Sequence, residues 1–315
     1  MQNDIVQVIN EIKKVIVGKD EILTKILTAI FADGHILLDD VPGVGKTTLA
    51  MATGKAMGLC CKRVQFTPDV LPSDITGFSV YSRDSGALSY VPGAAAGANI
   101  LLGDEINRTS SKTQSALLEA MEERQVTVDG ATHKLETPFI VIATQNNVGT
   151  SGTQLLPFAQ LDRFLMRLSL GYPDLASQMA IIRDRQDGNP LDGVCQILTA
   201  ANTIKLQENV RAVTLKDNVI EYIANLAHAT RENADIELGV SPRGALFVAR
   251  AAKAYAFINA RDYVTPADVR AVFEDVCAHR IILSQAAKAG KKTELQVLQK
   301  VIADVIAPDG SGITA

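Results

Sequence analysis

"HILLDDVPGVGKTTLA", residues 35–50, is the stretch of sequence that decides the fold. An apolar run, a glycine-rich turn and a helix-forming segment follow one another here, in the order that a phosphate-binding loop requires. The pattern G-x-x-x-x-G-K-[ST] fits at every position except the first, where Asp40 stands in place of glycine. Asp tolerates unusual backbone angles better than most residues, and Pro42 stiffens the turn. We therefore predict that the loop still binds a nucleoside triphosphate.

The residues of this loop have separate predicted roles. Gly43 and Gly45 allow backbone N–H groups to converge on phosphate oxygens. Lys46 can reach the β and γ phosphates, and Thr47 can ligate Mg²⁺ at the positive end of the following helix. The predicted phosphate-binding residues are Pro42, Gly43, Val44, Gly45, Lys46, Thr47 and Thr48.

Short apolar runs alternate with helical patterns between His35 and about Leu170. Runs of this length favour strands that are buried on both faces, and therefore an α/β fold with a mostly parallel sheet covered by helices. From about Pro173 onward the sequence has helical patterns only. The five candidate strands are residues 35–39, 62–66, 99–104, 139–144 and 164–170.

The change from alternating strand and helix patterns to helical patterns alone places a domain boundary near residues 171–174. We predict an α/β nucleotide-binding domain over residues 1–174 and a smaller all-helical domain over residues 190–306. The last segment, residues 307–315, is predicted to be a disordered tail.

Charge and hydropathy narrow the functional classes. Lys plus Arg number 31 against 35 Asp plus Glu, a net charge of −4, so the chain lacks the electrostatic footprint of a general nucleic-acid binder. No apolar stretch approaches the roughly 18 residues of a membrane helix, and the N-terminus lacks the apolar core of a signal peptide. The expected location is therefore cytoplasmic, with no membrane span.

Polar side chains follow two of the candidate strands. The run ILLGDE, residues 100–105, carries two carboxylates out of its C-terminal end, the edge at which such sheets bind ligands. Asp104 would support Mg²⁺, and Glu105 would orient or deprotonate the attacking water. Asn146, after the 139–144 strand, could hydrogen-bond the water or the γ phosphate; an ordinary Asn turn is the alternative.

Five segments carry a resemblance to a known family: residues 34–50, 65–77, 104–130, 139–146 and 159–174. Together they resemble the MoxR family of AAA+ ATPases, in the helix-2-insert group that also includes magnesium chelatase ATPase subunits. The resemblance implies a P-loop domain with a parallel five-stranded sheet, a helical lid, and ATP with Mg²⁺ as ligands. Asp is common in that family where Asp40 stands.

The resemblance also gives roles to residues outside the loop. Arg163 matches the arginine finger that reaches a neighbouring subunit's nucleotide, with Asp162 orienting it, although a surface salt bridge explains Arg163 as well. Val17 and Gly18 match the segment beside the adenine. Arg243 matches the sensor 2 residue of the lid, which contacts the γ phosphate.

The position of Arg243 has a physical argument of its own. Ser241 and Pro242 are typical of a helix cap and first helical position, which places Arg243 in the first turn. The helix dipole disfavours a cation there, so an anionic ligand would explain the placement; a solvated Arg near a helix end is the alternative.

Two segments are predicted to form hairpins. Residues 77–93 lie where the helix-2-insert group inserts a hairpin, and residues 125–138 alternate apolar and polar side chains around the turn signal Asp129-Gly130. In related rings such hairpins face the pore or the partner, and a plain surface hairpin is the alternative. The chain departs from the family pattern at Asn147 and Phe158, where Pro and Glu are usual, and in PGAAAGAN, residues 92–99.

The sequence thus predicts an ATP-hydrolysing homo-oligomer, a hexameric ring, that remodels, matures or activates a client protein. The resemblance suggests a von Willebrand factor A domain protein as that client. One alternative is a regulatory switch with slow hydrolysis. Another is an AAA+ nucleic-acid motor, against which the acidic net charge argues.

Overall fold

A computed structural model describes residues 2–83, 86–145, 156–186 and 188–308 of the 315-residue chain. It divides into two compact units. Unit 1 comprises Met1–Leu23, His35–Leu156 and Leu168–Lys205, and unit 2 comprises Thr24–Gly34, Pro157–Arg167 and Leu206–Ala315.

The strands are short and the helices run up to 17 residues. The strands are β1 Ile36–Asp39, β2 Cys61–Gln65, β3 Gly77–Ser82, β4 Ala87–Pro92, β5 Ile100–Asp104, β6 Gln125–Val128, β7 Ala131–Lys134, β8 Ile140–Gln145, β9 Met166–Leu168, β10 Ile236–Leu238 and β11 Ile282–Leu283. The helices are α1 Gln2–Lys13, α2 Asp20–Phe31, α3 Lys46–Ala56, α4 Pro72–Thr76, α5 Ser111–Glu123, α6 Phe158–Leu161, α7 Leu175–Asp184, α8 Ala200–Ala212, α9 Asp217–Glu232, α10 Pro242–Ile258, α11 Pro266–Cys277, α12 Gln285–Ala289 and α13 Glu294–Asp304.

Five strands form the central sheet, in the order β2-β5-β8-β1-β9. Strands β5 and β8 are buried at every position, as their continuous apolar runs predict. The pairs β2/β5, β5/β8 and β1/β8 are parallel, so their carboxyl ends meet at one edge. Asp39 and Asp104 end β1 and β5 at this edge. The predicted parallel five-stranded sheet is confirmed, and its edge gathers the polar side chains.

Both predicted hairpins are present. Strands β3 and β4 pair antiparallel, as do β6 and β7. Asp129 and Gly130 connect β6 to β7 with positive φ angles of 49° and 79°, the backbone that an Asp-Gly turn favours. The ring of Tyr90 in β4 stacks on His133 in β7, with centroids 3.7 Å apart, so the two hairpins contact each other.

Unit 2 is mainly helical, and the predicted helical lid is confirmed. The sequence did not predict the pairing of β10 with β11 as a two-stranded antiparallel sheet. Only Ile236 of β10 is buried, so this strand lacks the apolar run or the apolar–polar alternation from which a strand is predicted. No helix among the described residues has the length and apolarity needed to span a membrane.

The predicted disordered tail, residues 307–315, lies almost wholly outside the described residues, which end at residue 308. The domain ranges drawn from chain order remain a prediction.

Candidate functional site

The loop between β1 and α3 has the backbone that the motif predicts. Gly43 and Gly45 have φ angles of 83° and 94°, a region that residues with a side chain rarely adopt. Gly45 is the residue before α3, and Lys46 and Thr47 open that helix. The first N–H groups of a helix lack intrahelical partners, so this arrangement suits an anion.

Lys46 is buried and held on two sides. Its Nζ donates to the Asp40 carbonyl at 2.8 Å and lies 3.4 Å from the Gln145 carbonyl at the end of β8. Burial lowers the pKa of Lys46, and the nearby carboxylates of Asp40 and Asp104 oppose that shift. A buried ammonium at the start of a helix favours a bound anion.

Asp40 shows why this loop does without the first glycine of the pattern. Its Oδ2 accepts from the backbone N–H groups of Leu170 and Gly171, the latter at 2.9 Å, and lies 3.2 Å from Ser169 Oγ. Its Oδ1 accepts from Val41 N–H at 3.0 Å. The carboxylate therefore joins the start of the loop to the segment 169–171, a contact that glycine cannot make.

One hydroxyl contacts both residues predicted from the end of the 100–105 run. Thr144 Oγ1 donates to Asp104 Oδ1 at 3.1 Å and accepts from the Glu105 backbone N–H at 3.0 Å. Glu105 has a φ of 57°, so the chain turns sharply at this residue. Thr47 Oγ1 donates to Asp104 Oδ2 at 3.1 Å, which brings the two predicted Mg²⁺ ligands together.

Cations pair with both carboxylates. Arg63 Nε donates to Asp104 Oδ2 at 2.7 Å, and Arg108 donates to Glu105 Oε2 at 2.7 Å. Gln65 Nε2 lies 3.4 Å from the same Glu105 oxygen. Sequence reasoning missed these three residues and Thr144. The signal for two of them was present, because Arg63 and Gln65 alternate along β2 next to β5, with Gln65 in register with Asp104.

A cavity of about 340 Å³ opens above these side chains. A second cavity of about 220 Å³ lies along the other side of Gly43 and Gly45 and includes Val17. Gly18, with a φ of 73°, has no space for a side chain, because a Cβ there would lie 2.2 Å from Ser177 Oγ. The first cavity is lined by Pro42, Gly43, Gly45, Lys46, Thr47, Thr48, Arg63, Gln65, Asp104, Glu105, Thr144 and Arg185. The second adds Val15, Ile16, Val17, Lys19, Val44, Leu170, Gly171, Tyr172, Pro173, Gln178 and Ile181.

The oxygens near Thr47 suit Mg²⁺. This ion takes oxygen ligands and is usually held by one or two protein groups together with substrate phosphates and water. Thr47 and Asp104 offer a hydroxyl and a carboxylate of that kind. Within the described ranges no cluster of three His, Cys, Asp or Glu could hold a metal by itself.

The remaining predicted site residues lie elsewhere. Arg163 and Arg243 belong to unit 2. Ser241 caps α10 by accepting from Gly244 N–H at 3.1 Å, and Pro242 is its first residue, which confirms the predicted placement of Arg243 in the first turn. The carboxylate of Asp162 accepts from Arg280 Nε at 2.9 Å. Asn146 and Asn147 lie outside the described residues.

Comparisons with known proteins agree with this geometry. A family model described as the ATPase family associated with various cellular activities (AAA) matches residues 35–166, and one described as an AAA lid domain matches residues 228–301. The uncharacterised YeaC of Bacillus subtilis is 46% identical over 89% of this chain and 87% of its own. The chaperone MoxR1 of Mycobacterium tuberculosis is 36% identical over 96% of this chain and 82% of its own.

A solved structure supports the fold independently. A protein from Cytophaga hutchinsonii, described as a candidate ATPase, superposes with a TM-score of 0.89 at 38% identity, covering 98% of this chain and 96% of its own. The resemblance inferred from the sequence motifs is thereby confirmed, and the chain belongs to the MoxR family of AAA+ ATPases.

Proposed function

We propose that this protein hydrolyses ATP to ADP and phosphate. The observation that carries the proposal is one pocket of about 340 Å³ that Lys46, Thr47, Asp104 and Glu105 line together. These side chains are the cation, the hydroxyl, the metal-supporting carboxylate and the base that phosphoryl transfer to water requires.

Each residue has a distinct part in the proposed reaction. The loop N–H groups and Lys46 bind the β and γ phosphates and stabilise the charge that develops on them. Glu105 accepts a proton from the attacking water, and Thr144 joins the Glu105 backbone N–H to the Asp104 carboxylate. Mg²⁺, when bound by Thr47 and Asp104, would neutralise charge on the phosphate oxygens.

Other residues have proposed roles that follow from the family. Asn146 and Arg243 would sense the γ phosphate, and Arg163 would act on the nucleotide of a neighbouring copy. Val17 and Gly18 would contact the adenine.

The larger biological role is also a proposal. The chain would work in the cytoplasm as a hexameric ring, with the α/β domain over residues 1–174 and the lid over residues 190–306. It would remodel, mature or activate a client protein, with a von Willebrand factor A domain protein as the first client to test. The name of the relative MoxR1 as a chaperone supports this direction.

Two substitutions test the chemistry. Lys46→Ala should abolish tight ATP binding, because the buried ammonium is lost. Glu105→Gln should bind ATP while lowering kcat by roughly 100-fold or more, because the general base is lost. Phosphate release and binding of a fluorescent ATP analogue measure the two effects. Lys55→Ala, on the exposed side of the same helix, is the matched control and should keep both. ATP turnover at the wild-type rate in Lys46→Ala or Glu105→Gln would contradict the roles assigned to these residues in ATP hydrolysis.

Mixtures of variants test the ring. Arg163→Ala should lose roughly 1,000-fold in kcat if the guanidinium stabilises the transition state. When Arg163→Ala is mixed with Lys46→Ala, the Arg163→Ala subunits supply intact nucleotide pockets and the Lys46→Ala subunits supply intact arginine fingers. Part of the activity should therefore return. Specific activity should also rise with protein concentration. Flat activity per subunit, with Arg163→Ala unimpaired, would mean that each chain hydrolyses alone.

A slow regulatory switch is the second candidate function. The pairing of Arg63 with Asp104 and of Arg108 with Glu105 favours it, because both carboxylates must exchange a cation partner before they can act. Strong client binding in the ATP state with negligible turnover would support the switch. Sustained turnover that accelerates with client would support the remodelling role.

A further inference from the structure

One buried guanidinium in unit 2 lies between the two segments that carry Arg163 and Arg243. Arg280 follows α11, and its side chain is only 1% exposed. A buried guanidinium is costly unless its donors are satisfied, so its partners show what this position is built to hold.

Most of those partners flank Arg163. Arg280 Nε donates to the Asp162 carboxylate at 2.9 Å. One terminal nitrogen donates to the Asp162 carbonyl at 3.0 Å and to the Phe164 carbonyl, and the other lies 3.3 Å from the Leu165 carbonyl. The planar group therefore contacts the backbone on both sides of Arg163 and leaves the Arg163 side chain to other contacts.

The stem of Arg280 contacts the first turn of α10. A Cβ built on Gly244, the residue after Arg243, would lie 3.0 Å from Arg280 Cδ. One turn further along the helix, the Phe247 ring lies beneath the guanidinium, with Cζ 4.8 Å from the ring centroid. Glycine at position 244 thus permits a close approach between the start of α10 and this side chain.

The chemistry of this position requires arginine. Five N–H donors in a fixed plane can bond a carboxylate and several carbonyls at once, whereas a lysine ammonium is a single charged point with three donors. Burial lowers the pKa of Arg280 to about 10, a shift that the Asp162 carboxylate opposes. The side chain therefore stays charged at neutral pH and keeps all of its donors.

We propose that Arg280 is a positioning residue that fixes Arg163 and Arg243 relative to each other. The inference rests on the proposed function, in which these two cations act on the nucleotide phosphates. It goes further by making one buried side chain responsible for the geometry of both, so that a shift of one segment is transmitted to the other.

Hydrogen exchange tests the positioning without any need for activity. The amides of Arg163 and Phe164 donate to the carbonyls of Gln160 and Leu161, and that of Ala245 to Ser241. In Arg280→Lys, exchange at these amides should accelerate about tenfold or more, since charged hydrogen bonds to this backbone are lost. No local acceleration there would overturn the proposal.

A second ion pair in the same unit, one with a buried carboxylate, supplies the matched control. Arg261 pairs with both carboxylate oxygens of Asp268 near the start of α11. Arg261→Lys should accelerate exchange around residues 265–269 and leave the amides of Arg163 and Ala245 as in the wild type. Equal acceleration at all sites in both variants would indicate general loosening of unit 2 and would also overturn the proposal.

A double-mutant cycle tests the consequence for turnover. Arg280→Lys should lower kcat roughly 10- to 100-fold, because small misplacements of catalytic groups have effects of that size. In the Arg163→Ala/Arg243→Ala double variant the same substitution should cost less than about threefold, because neither cation remains for it to position. The same fold-loss in both backgrounds would show a merely structural role and contradict the inference.

A substitution that retains Arg280 covers the case in which Arg280→Lys fails to fold. Gly244→Ala displaces the start of α10 from Arg280, so exchange should accelerate at Ala245 and, through Arg280, at Arg163 and Phe164, and kcat should fall. An unchanged kcat in Gly244→Ala would overturn the proposal. If the wild-type protein shows no ATPase activity, or none that Glu105→Gln abolishes, the proposed function is refuted. The exchange data would still decide whether Arg280 is a positioning residue.

Discussion

Asp40 shows that a residue that departs from a sequence motif can make a tertiary contact in place of the motif residue. The glycine of the usual motif supplies backbone freedom, whereas Asp40 bonds the Leu170 and Gly171 N–H groups. Those residues also line the 220 Å³ cavity beside Val17. The carboxylate therefore ties the phosphate-binding loop to the wall of the second cavity.

Restoring the motif glycine should harm this protein. Asp40→Gly removes several hydrogen bonds to one carboxylate and adds backbone freedom, so the free energy of unfolding should fall by about 2 kcal/mol. ATP binding should weaken as the loop loses its attachment. Urea unfolding and titration with a fluorescent ATP analogue measure both. Ser169→Ala, which removes a single weaker contact, should have less than half the effect on stability, and unchanged stability in Asp40→Gly would contradict the prediction.

At the same scale, the residues that the sequence predicted and those it missed differ in how they reach the site. Lys46, Thr47 and Asp104 lie in contiguous motifs whose spacing is set by the loop and strand alone. Arg63 lies on another strand, β2, and only the three-dimensional fold brings it to Asp104. Arg108 lies three residues after Glu105, and no motif marks it as the partner of that carboxylate. A basic residue on a strand has many possible partners, so no spacing rule could choose among them.

At the scale of elements, predictability follows the strength of the local signal. Strands β5 and β8 are long apolar runs, and the Asp129-Gly130 turn fixes the β6–β7 hairpin, so all were readable from the sequence. The β10–β11 pair joins three residues to two that lie more than 40 positions away. Such a short pair depends on the packing of the helices around it, and the sequence carries no periodicity for it.

Most of the β3–β4 hairpin is exposed, and Tyr90 attaches it on one face. Tyr90 stacks on His133 and donates its hydroxyl to the Thr76 carbonyl at 2.6 Å. On the opposite face, Phe78 and Val80 are 49% and 45% exposed. The attachment of this hairpin to unit 1 therefore depends strongly on Tyr90.

Tyr90→Ala should loosen the hairpin. Loss of the stacked ring and its hydrogen bond should cost about 1.5 kcal/mol, which corresponds to roughly tenfold faster exchange of the β3 and β4 amides. Tyr90→Phe keeps the ring and should show a smaller acceleration. Hydrogen exchange resolved by mass spectrometry measures both variants, and equal exchange in Tyr90→Ala and wild type would show that other contacts hold the hairpin.

At the scale of the whole molecule, chain order and packing give different groupings. Unit 2 draws the segments Thr24–Gly34 and Pro157–Arg167 together with the helical part of the chain. The pattern of apolar and polar residues is analysed in chain order. It therefore cannot predict that a short segment between two strands packs with helices more than 100 residues later. Arg280 and His279 make that packing specific through their bonds to residues 162–165.

His279 should make the stability of the molecule depend on pH. Burial and the neighbouring Arg280 guanidinium lower the pKa of His279 well below its usual value, with Arg167 adding to the effect. The unfolded chain binds a proton at this residue below about pH 6.5, and the folded chain does not. Stability is therefore complete above about pH 6.5 and decreases as the pH falls, with a slope of up to about 1.4 kcal/mol per pH unit.

Urea unfolding between pH 5 and 7 should reveal this slope, and His279→Gln should remove it, because glutamine can donate to the Phe164 carbonyl without titrating. The variant is expected to be less stable than the wild type at pH 7, where the imidazole packs without charge, and to approach it at pH 5. His228→Gln changes an exposed histidine on α9 and should keep the wild-type slope. A wild-type stability that stays level from pH 7 to 5 would mean that the folded protein accommodates the imidazolium, which the buried site beside two arginines should not allow.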